Sequence, residues 1–323
     1  MTLDLKRTEG REIYKKLVAT ADAVIENSRP GIMDKLGVGW NDLHKANPAL
    51  IYCYISGLGS WSPGKERPTY DAIAQALSGL WSQFTDLSDP EPLGPNLADQ
   101  ITGLYATIAL LSGLEKRRQT GIGIKIEVSM LASCVSFLGS SLSAFLMEGV
   151  VPDKRTRSRS SQVYAFLDLE GKPLVIQLSG LEKFWQSLCA ALGIQHLIDD
   201  PRFSTKSLRV DNYDLLHSIL QTIFETDTRD NWETLLERYD VPVAPILSVP
   251  EAIEHPYVES LGLIENSHEA ETPWFRAPIS VDEKYLGAET DAPVLSQDTL
   301  EILSQIGYSE REILSLRDEE IIL

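Results

Sequence analysis

The chain has 323 residues, 43% of them hydrophobic and 24% charged, and a formal net charge of −18. That length supports one large domain or two smaller ones around a substantial core. The charge argues against a nucleic-acid surface, which needs a basic footprint, and against attraction to anionic membranes.

Cys53, Cys134 and Cys189 lie far apart with no CxxC spacing, which fits buried thiols in a reducing cytoplasm. The five histidines (His44, His196, His217, His255, His268) form no HxxxH or HExxH pattern, so no metal site is expected.

In chain order, a helix is predicted over Glu9 to Thr20 and a strand over Ala23 to Glu26. A helix over Ile32 to Ala46 and a strand over Leu50 to Ile55 follow. Short apolar strands alternating with helices indicate a parallel sheet covered on both faces. Asn27-Ser28-Arg29-Pro30-Gly31 leaves the carboxyl end of the first strand, where open α/β sheets bind ligands. Arg29 and Lys35 suit phosphate there, against the plainer reading of a strand-to-helix turn with solvated charges. Ile55 to Gly59 ends the second strand with two glycines, a weak phosphate-loop signal.

The stretch from Arg67 to Gly121 organises the rest. Leu97, Ile101, Leu104, Ile108 and Leu111 recur at helical spacing and predict one buried face. Lys116, Arg117 and Arg118 oppose the negative end of that helix, and Gly121 stops it. Asp99 therefore sits at or beside the helix start. Two readings are open: a helix cap, or a carboxylate held ionised there to act as a nucleophile on an activated acyl carbon.

A strand over Ile124 to Val128 is followed by a serine-rich, uncharged run from Met130 to Met147, read as one buried helix packed through small residues. Lys154, Arg155, Arg157 and Arg159 form a basic island that meets anionic phosphates, meets a partner subunit, or is a solvated linker. Domain boundaries are placed at 1–155 for a large domain, 160–285 for a small α+β domain, and 286–323 for a segment returning to the first. In the second part, Val163 to Asp168 and Leu174 to Leu178 flank a Glu170-Gly171-Lys172 turn as a hairpin. The helix around Trp185 is closed by Gly193, and Trp185 and Trp232 are core residues. His255 to Ile264 is read as a short strand or edge, and the tail from Thr299 to Leu323 as helical.

Taken together, SRPGIMDKLGVGW, LIYCYISGLG, RPTYD and NLADQITGLYA resemble, in order and spacing, the class III CoA-transferases, the group of formyl-CoA transferase and the carnitine and bile-acid CoA-transferases. The resemblance spans essentially the whole chain. It implies a Rossmann-like α/β large domain with a smaller α+β domain and an interlocked homodimer. It also implies that coenzyme A and acyl-CoA are substrates, with no permanently bound cofactor, and that a small carboxylic acid is the second partner. The residue matching Asp99 is the family's catalytic nucleophile. The resemblance places Asn27, Ser28, Arg29 and Lys35 at the nucleotide end of CoA, with Ser28 where an aromatic residue is usual. It sets Leu3, Asp4, Leu5 and Lys6 along the same nucleotide, and Pro68, Thr69, Tyr70 and Asp71 beside the pantetheine arm and thioester. Family members begin with a further β-α-β unit ahead of the stretch that matches Met1.

Two other readings follow from the same stretch. Related acyl-CoA racemases carry a His where this chain has Tyr70, and a phenol is a poor general base at neutral pH. A catalytically silent family member is the other. A nicotinamide-dependent enzyme lacks its GxGxxG strand–helix fingerprint. An oxyanion-stabilising turn is expected at Gly57 to Gly59.

Overall fold

The computed structural model describes residues 1–265, 273–287 and 290–323; His268 lies outside them. They form two compact units, residues 1–152 with 292–323, and residues 153–291.

The first unit is built on three parallel strands in the order β1-β2-β3: Ala23–Glu26, Ile51–Ser56 and Ile124–Ser129. Tyr54 pairs with Glu26 on one side and Glu127 on the other. The central strand is almost wholly buried, as a strand covered on both faces should be. On one face Val24, Tyr52 and Tyr54 pack against Val18 of α1 (Thr8–Thr20) and Leu43.

The expected helix over Ile32 to Ala46 is broken into α2 (Ile32–Lys35) and α3 (Trp40–Ala46). Gly37 turns left-handed between them at φ +72°, a conformation that favours glycine. Gly39 leaves no room for a Cβ, which would come within 2.0 Å of Asp34 Oδ1.

Next come α4 (Asp71–Ser78) and the long α5 (Leu97–Thr120), which Gly121 ends in the left-handed region. The face of α5 toward the sheet differs from the one its periodicity predicts. Ala98, Ile101, Thr102, Ala106 and Gly113 are buried, whereas Leu104, Ile108 and Leu111 are 68%, 59% and 61% exposed. The reason is proximity. A Cβ on Gly113 would meet Ile126 Cδ1 at 2.9 Å and Ile51 Cγ2 at 3.0 Å, so only small side chains fit there.

The serine-rich run is likewise two helices, α6 (Met130–Phe137) and α7 (Gly139–Glu148), bent by 66°. Only α6 contributes buried residues; Leu146 and Met147 of α7 are exposed.

In the second unit, α8 (Thr156–Ser160) carries part of the basic island, and Arg155 and Arg159 both pair with Asp214, at 3.4 and 3.3 Å. The hairpin β4 (Val163–Leu167) and β5 (Pro173–Gln177) is antiparallel. Tyr164, Phe166, Ile176, Trp185 and Trp232 lie in its core, with α9 (Glu182–Leu192), α10 (Lys206–Asp211), α11 (Tyr213–Phe224) and α12 (Arg229–Arg238) around it. A third strand, β6 (Val243–Pro245), completes the sheet.

His255 to Ile264 is not mainly extended, as expected from its sequence. After α13 (Val249–Glu254), the imidazole of His255 accepts the Tyr257 N–H and Pro256 opens α14 (Pro256–Ser260), leaving only Ile264–Glu265 as β7. Three two-residue strands follow, β8 (Trp274–Phe275), β9 (Ser280–Val281) and β10 (Lys284–Tyr285). Back in the first unit, α15 (Thr299–Gln305) and α16 (Glu310–Asp318) place Leu303, Ile313 and Leu316 against Ile13 of α1.

Candidate active site

Three chain segments meet at the carboxyl end of the parallel sheet. From β1 comes Asn27-Ser28-Arg29, held by Glu26: one carboxylate oxygen accepts the Ser28 N–H at 2.7 Å, the other the Tyr52 hydroxyl at 3.0 Å. From β2 comes Ser56-Gly57. Ser56 Oγ donates to Glu127 Oε1 at 2.8 Å, and the Ser60 N–H donates to the same oxygen at 2.6 Å. One carboxylate on β3 thus closes the glycine turn. Glycine at 57 is required by close approach: its Cβ would lie 2.6 Å from that of Thr69. The Leu131 N–H donates to Gly57 O, tying α6 to the same turn. Buried between Glu26 and Glu127, the Tyr54 phenol is pushed up to about 12 by desolvation and by both carboxylates.

The third segment is the start of α5. Asp99 is not its cap. Asn96 stands at the cap position with no side-chain cap bond, and Asp99 is the third helical residue. The capping acceptor comes from α4 instead, where Asp71 Oδ1 accepts the Asp99 N–H at 3.1 Å. Gln75 Nε2 donates to Asp71 Oδ2 at 2.5 Å and to Pro95 O at 3.0 Å. The expectation that the helix start holds Asp99 readily ionised meets an opposing effect. Partial desolvation of a side chain that still opens on solvent, and then the charge of Asp71, raise its carboxyl above the ordinary range.

Two adjoining cavities open here. One, of about 440 Å³, is walled by Asp99, Thr102, Gly103, Met130 and Ser56. The other, of about 210 Å³, is walled by Ser28, Arg29, Tyr54, Lys65, Glu66, Arg67 and Pro68. Asn27, Ile55, Gly57, Thr69 and Tyr70 line both. Asp99 is exposed on the wall of the first, so its carboxyl is open to a reactant.

Of the residues singled out from the sequence, Asn27, Ser28, Arg29, Pro68, Thr69, Tyr70 and Asp99 converge on these cavities, and Asp71 reaches Asp99 through its amide. Leu3, Asp4, Leu5, Lys6 and Lys35 line neither. Leu3 packs with Ile13 and the C-terminal helices, the Asp4 N–H donates to Ile321 O at 2.9 Å, and Leu5 packs on the α1–α3 side of the sheet.

Sequence reasoning did not single out Lys65, Thr102, Gly103 or Met130. Thr102 and Gly103 stand three and four residues beyond Asp99, one helical turn along its face, and Met130 directly follows a strand end. Those signals were present. Among the described residues, no group of three His, Cys, Asp or Glu side chains is placed to hold a metal ion.

A parallel α/β sheet with a carboxylate and a cation-lined cavity at its carboxyl edge defines an enzyme-like ligand site. The chain belongs to CoA-transferase family III, whose sequence profile matches residues 1–299. It is 30% identical over 329 residues to an acyl-CoA transferase of Fusarium pseudograminearum, covering 100% of this chain and 72% of that one. It is 33% identical over 272 residues to acetyl-CoA:oxalate CoA-transferase of Acetobacter aceti (83% and 69% covered). Human succinyl-CoA:glutarate CoA-transferase is 29% identical over 329 residues (100% and 75%). The crystal structure of a CaiB/BaiF family protein from Brucella suis superposes with TM-score 0.82 at 30% identity, over 95% of this chain and 81% of that one.

Proposed function

We propose that this protein moves CoA between an acyl-CoA and a small carboxylic acid through covalent intermediates on Asp99. A carboxylate oxygen of Asp99 attacks the thioester carbon, the C–S bond breaks, and CoA thiolate leaves a mixed anhydride. The thiolate attacks the Asp99 carbonyl of that anhydride, the donor acid departs as its carboxylate, and an aspartyl-CoA thioester remains. The acceptor carboxylate attacks that thioester, giving a new anhydride and thiolate. Thiolate attack on the acceptor's acyl carbon then yields the new acyl-CoA and restores Asp99. Each step exchanges one activated acyl group for another, so the sequence needs no external energy source.

The observation that carries this reading is Asp99 exposed on the wall of a 440 Å³ cavity that adjoins a second one lined by Arg29, Lys65 and Arg67. In an acidic chain, three cations against the single carboxylate of Glu66 at one cavity suit the phosphates of CoA. Gly57 lines both cavities, so this reading assigns the stabilising of oxyanions in the attack steps to the turn around it. Tyr70, in place of a histidine, supports transfer over proton exchange at the acyl α-carbon. The exposed apolar stripe of α5 supports a homodimer.

The test is trapping. Incubated with acyl-CoA and hydroxylamine or borohydride, the protein should gain a modification that mass spectrometry maps to Asp99, and Asp99→Asn should gain none and transfer no CoA. Undiminished turnover in Asp99→Asn, or a label on another residue, overturns the reading. Isotope exchange at the α-carbon without transfer would favour the racemase.

A further inference from the structure

Gln75 is 1% exposed, and both hydrogens of its amide are committed. Nε2 donates to Asp71 Oδ2 at 2.5 Å and to Pro95 O at 3.0 Å. The other Asp71 oxygen accepts the Asp99 N–H. One buried amide thus links the first turn of α4, the loop ahead of α5 and the first turn of α5. The same amide leaves its own Oε1 sealed from solvent with no partner. An unpaired buried acceptor destabilises a fold, and an apolar side chain of the same shape would avoid that cost. A glutamine here therefore serves its two donations rather than packing.

Those donations hold a second carboxylate where a flexible one would not stay. Like charges at a helix start repel, and an unrestrained Asp71 would turn toward solvent. We propose that Gln75 is a positioning residue: anchored on the Pro95 carbonyl, it clamps Asp71 between its own amide and the Asp99 N–H, keeps a negative charge against Asp99 and makes that carboxylate a stronger nucleophile. This rests on the transferase reading above. A more basic carboxylate attacks a thioester faster, because nucleophilicity follows basicity within one class of group. The raised carboxyl of Asp99, driven by burial and by Asp71, agrees with this arrangement.

The titratable groups facing Asp99 are Asp71 on α4, Tyr70 before it, and the buried Cys134 thiol on α6, whose own proton is held more tightly by burial and then by the charges of Asp71 and Asp99. No Lys, Arg or His lines the Asp99 cavity among the described residues.

Two variants test the clamp. Gln75→Met keeps the length and removes both donors. Asp71→Asn keeps an acceptor for the Asp99 amide and removes the charge, but sets its own amide N–H against the Gln75 donor, so it also breaks the Gln75 contact. The Asp99 carboxyl is titrated by ¹³C NMR in the unliganded protein, its resonance assigned by loss in Asp99→Asn. CoA transfer is followed in parallel across pH, with melting curves checking the fold.

In both variants the Asp99 midpoint should fall by at least about half a pH unit. The acid limb of kcat/KM should move down with it. At neutral pH, kcat should drop about two- to threefold for each half unit while KM for acyl-CoA stays near its wild-type value. A folded Gln75→Met protein with an unmoved Asp99 titration overturns the proposal; should that variant not fold, an unmoved titration in Asp71→Asn does the same. A wild-type chain that transfers no CoA, while both variants shift the titration, counts against the transferase reading and for the clamp. An unmoved titration in an active enzyme counts against the clamp alone.

Discussion

A carboxylate in the first turn of a helix ordinarily gains from the unpaired N–H groups around it. At Asp99 burial and the Asp71 charge work the other way, so its folded-state carboxyl binds a proton more tightly than in the unfolded chain. The sign follows from linkage. Ionised Asp99 works against folding at neutral pH, and that unfavourable contribution fades as pH falls through its raised pKa. Asp99→Asn should therefore melt at the same temperature as wild type or higher at neutral pH, with the difference shrinking toward pH 4, although it transfers no CoA. A clearly lower melting temperature at neutral pH would contradict this. Gly57 makes the complementary case, a residue set by space rather than charge. Its missing Cβ leaves room for the Thr69 side chain, which lines both cavities. Gly57→Ala should lose about 1–3 kcal/mol in chemical denaturation, the cost typical of overpacking. Adding Thr69→Gly, which removes the Cβ that the new methyl meets, should recover part of that loss; no recovery would mean that the strain arises elsewhere.

At the scale of elements, the alternation of strands and helices was legible, because each strand is a short apolar run and the long helix has clear charge and glycine signals at its end. What covers each face was not. The period of α5 identifies an apolar stripe, but periodicity does not say which stripe meets the sheet. The sheet took Gly113 because only a small side chain permits that approach, while Ala98 and Ile101, the latter from the predicted stripe, pack with Ala74 of α4 and Cys134 of α6. The larger Leu104, Ile108 and Leu111 remain exposed. Helix breaks were also hidden. Gly37 and Gly39 split α2 from α3 by backbone geometry and by contact with Asp34. The β-branched and aromatic content of His255 to Ile264 concealed the cap on α14. In the proposed homodimer, an exposed stripe of this kind belongs in the interface. Light scattering should report a dimer for wild type and a monomer for Ile108→Lys combined with Leu111→Lys, with helical circular dichroism unchanged. A monomeric wild type at micromolar concentration would remove the dimer from the proposal.

For the molecule as a whole, the two units rest on cores of different kinds. Residues 153–291 are continuous in sequence and enclose their own aromatic cluster around Trp185 and Trp232. Residues 1–152 are completed by a distant segment, 292–323, and the buried contact of Ile13 is made largely with that segment. Candidate boundaries were placed beside the basic island and at 286. Which residues of the amino-terminal stretch meet the tail was not legible, since Leu3 and Ile13 carry no mark of their partners. Removing residues 299–323 from the full chain takes away Leu303, Ile313, Leu316, Ile321 and Ile322, all buried. At about 1.5–3 kcal/mol for each buried apolar side chain, the loss rivals the 5–15 kcal/mol that stabilises a typical domain. The shortened chain should therefore lose hydrogen-exchange protection in β1 and β2. The environment of Trp185 and Trp232, followed by fluorescence during denaturation, should keep a cooperative transition, because their core draws nothing from the deleted residues. Protection retained in β1 and β2 would mean that the parallel sheet stands without its tail. Loss of the tryptophan transition would mean that the second unit does not hold itself together.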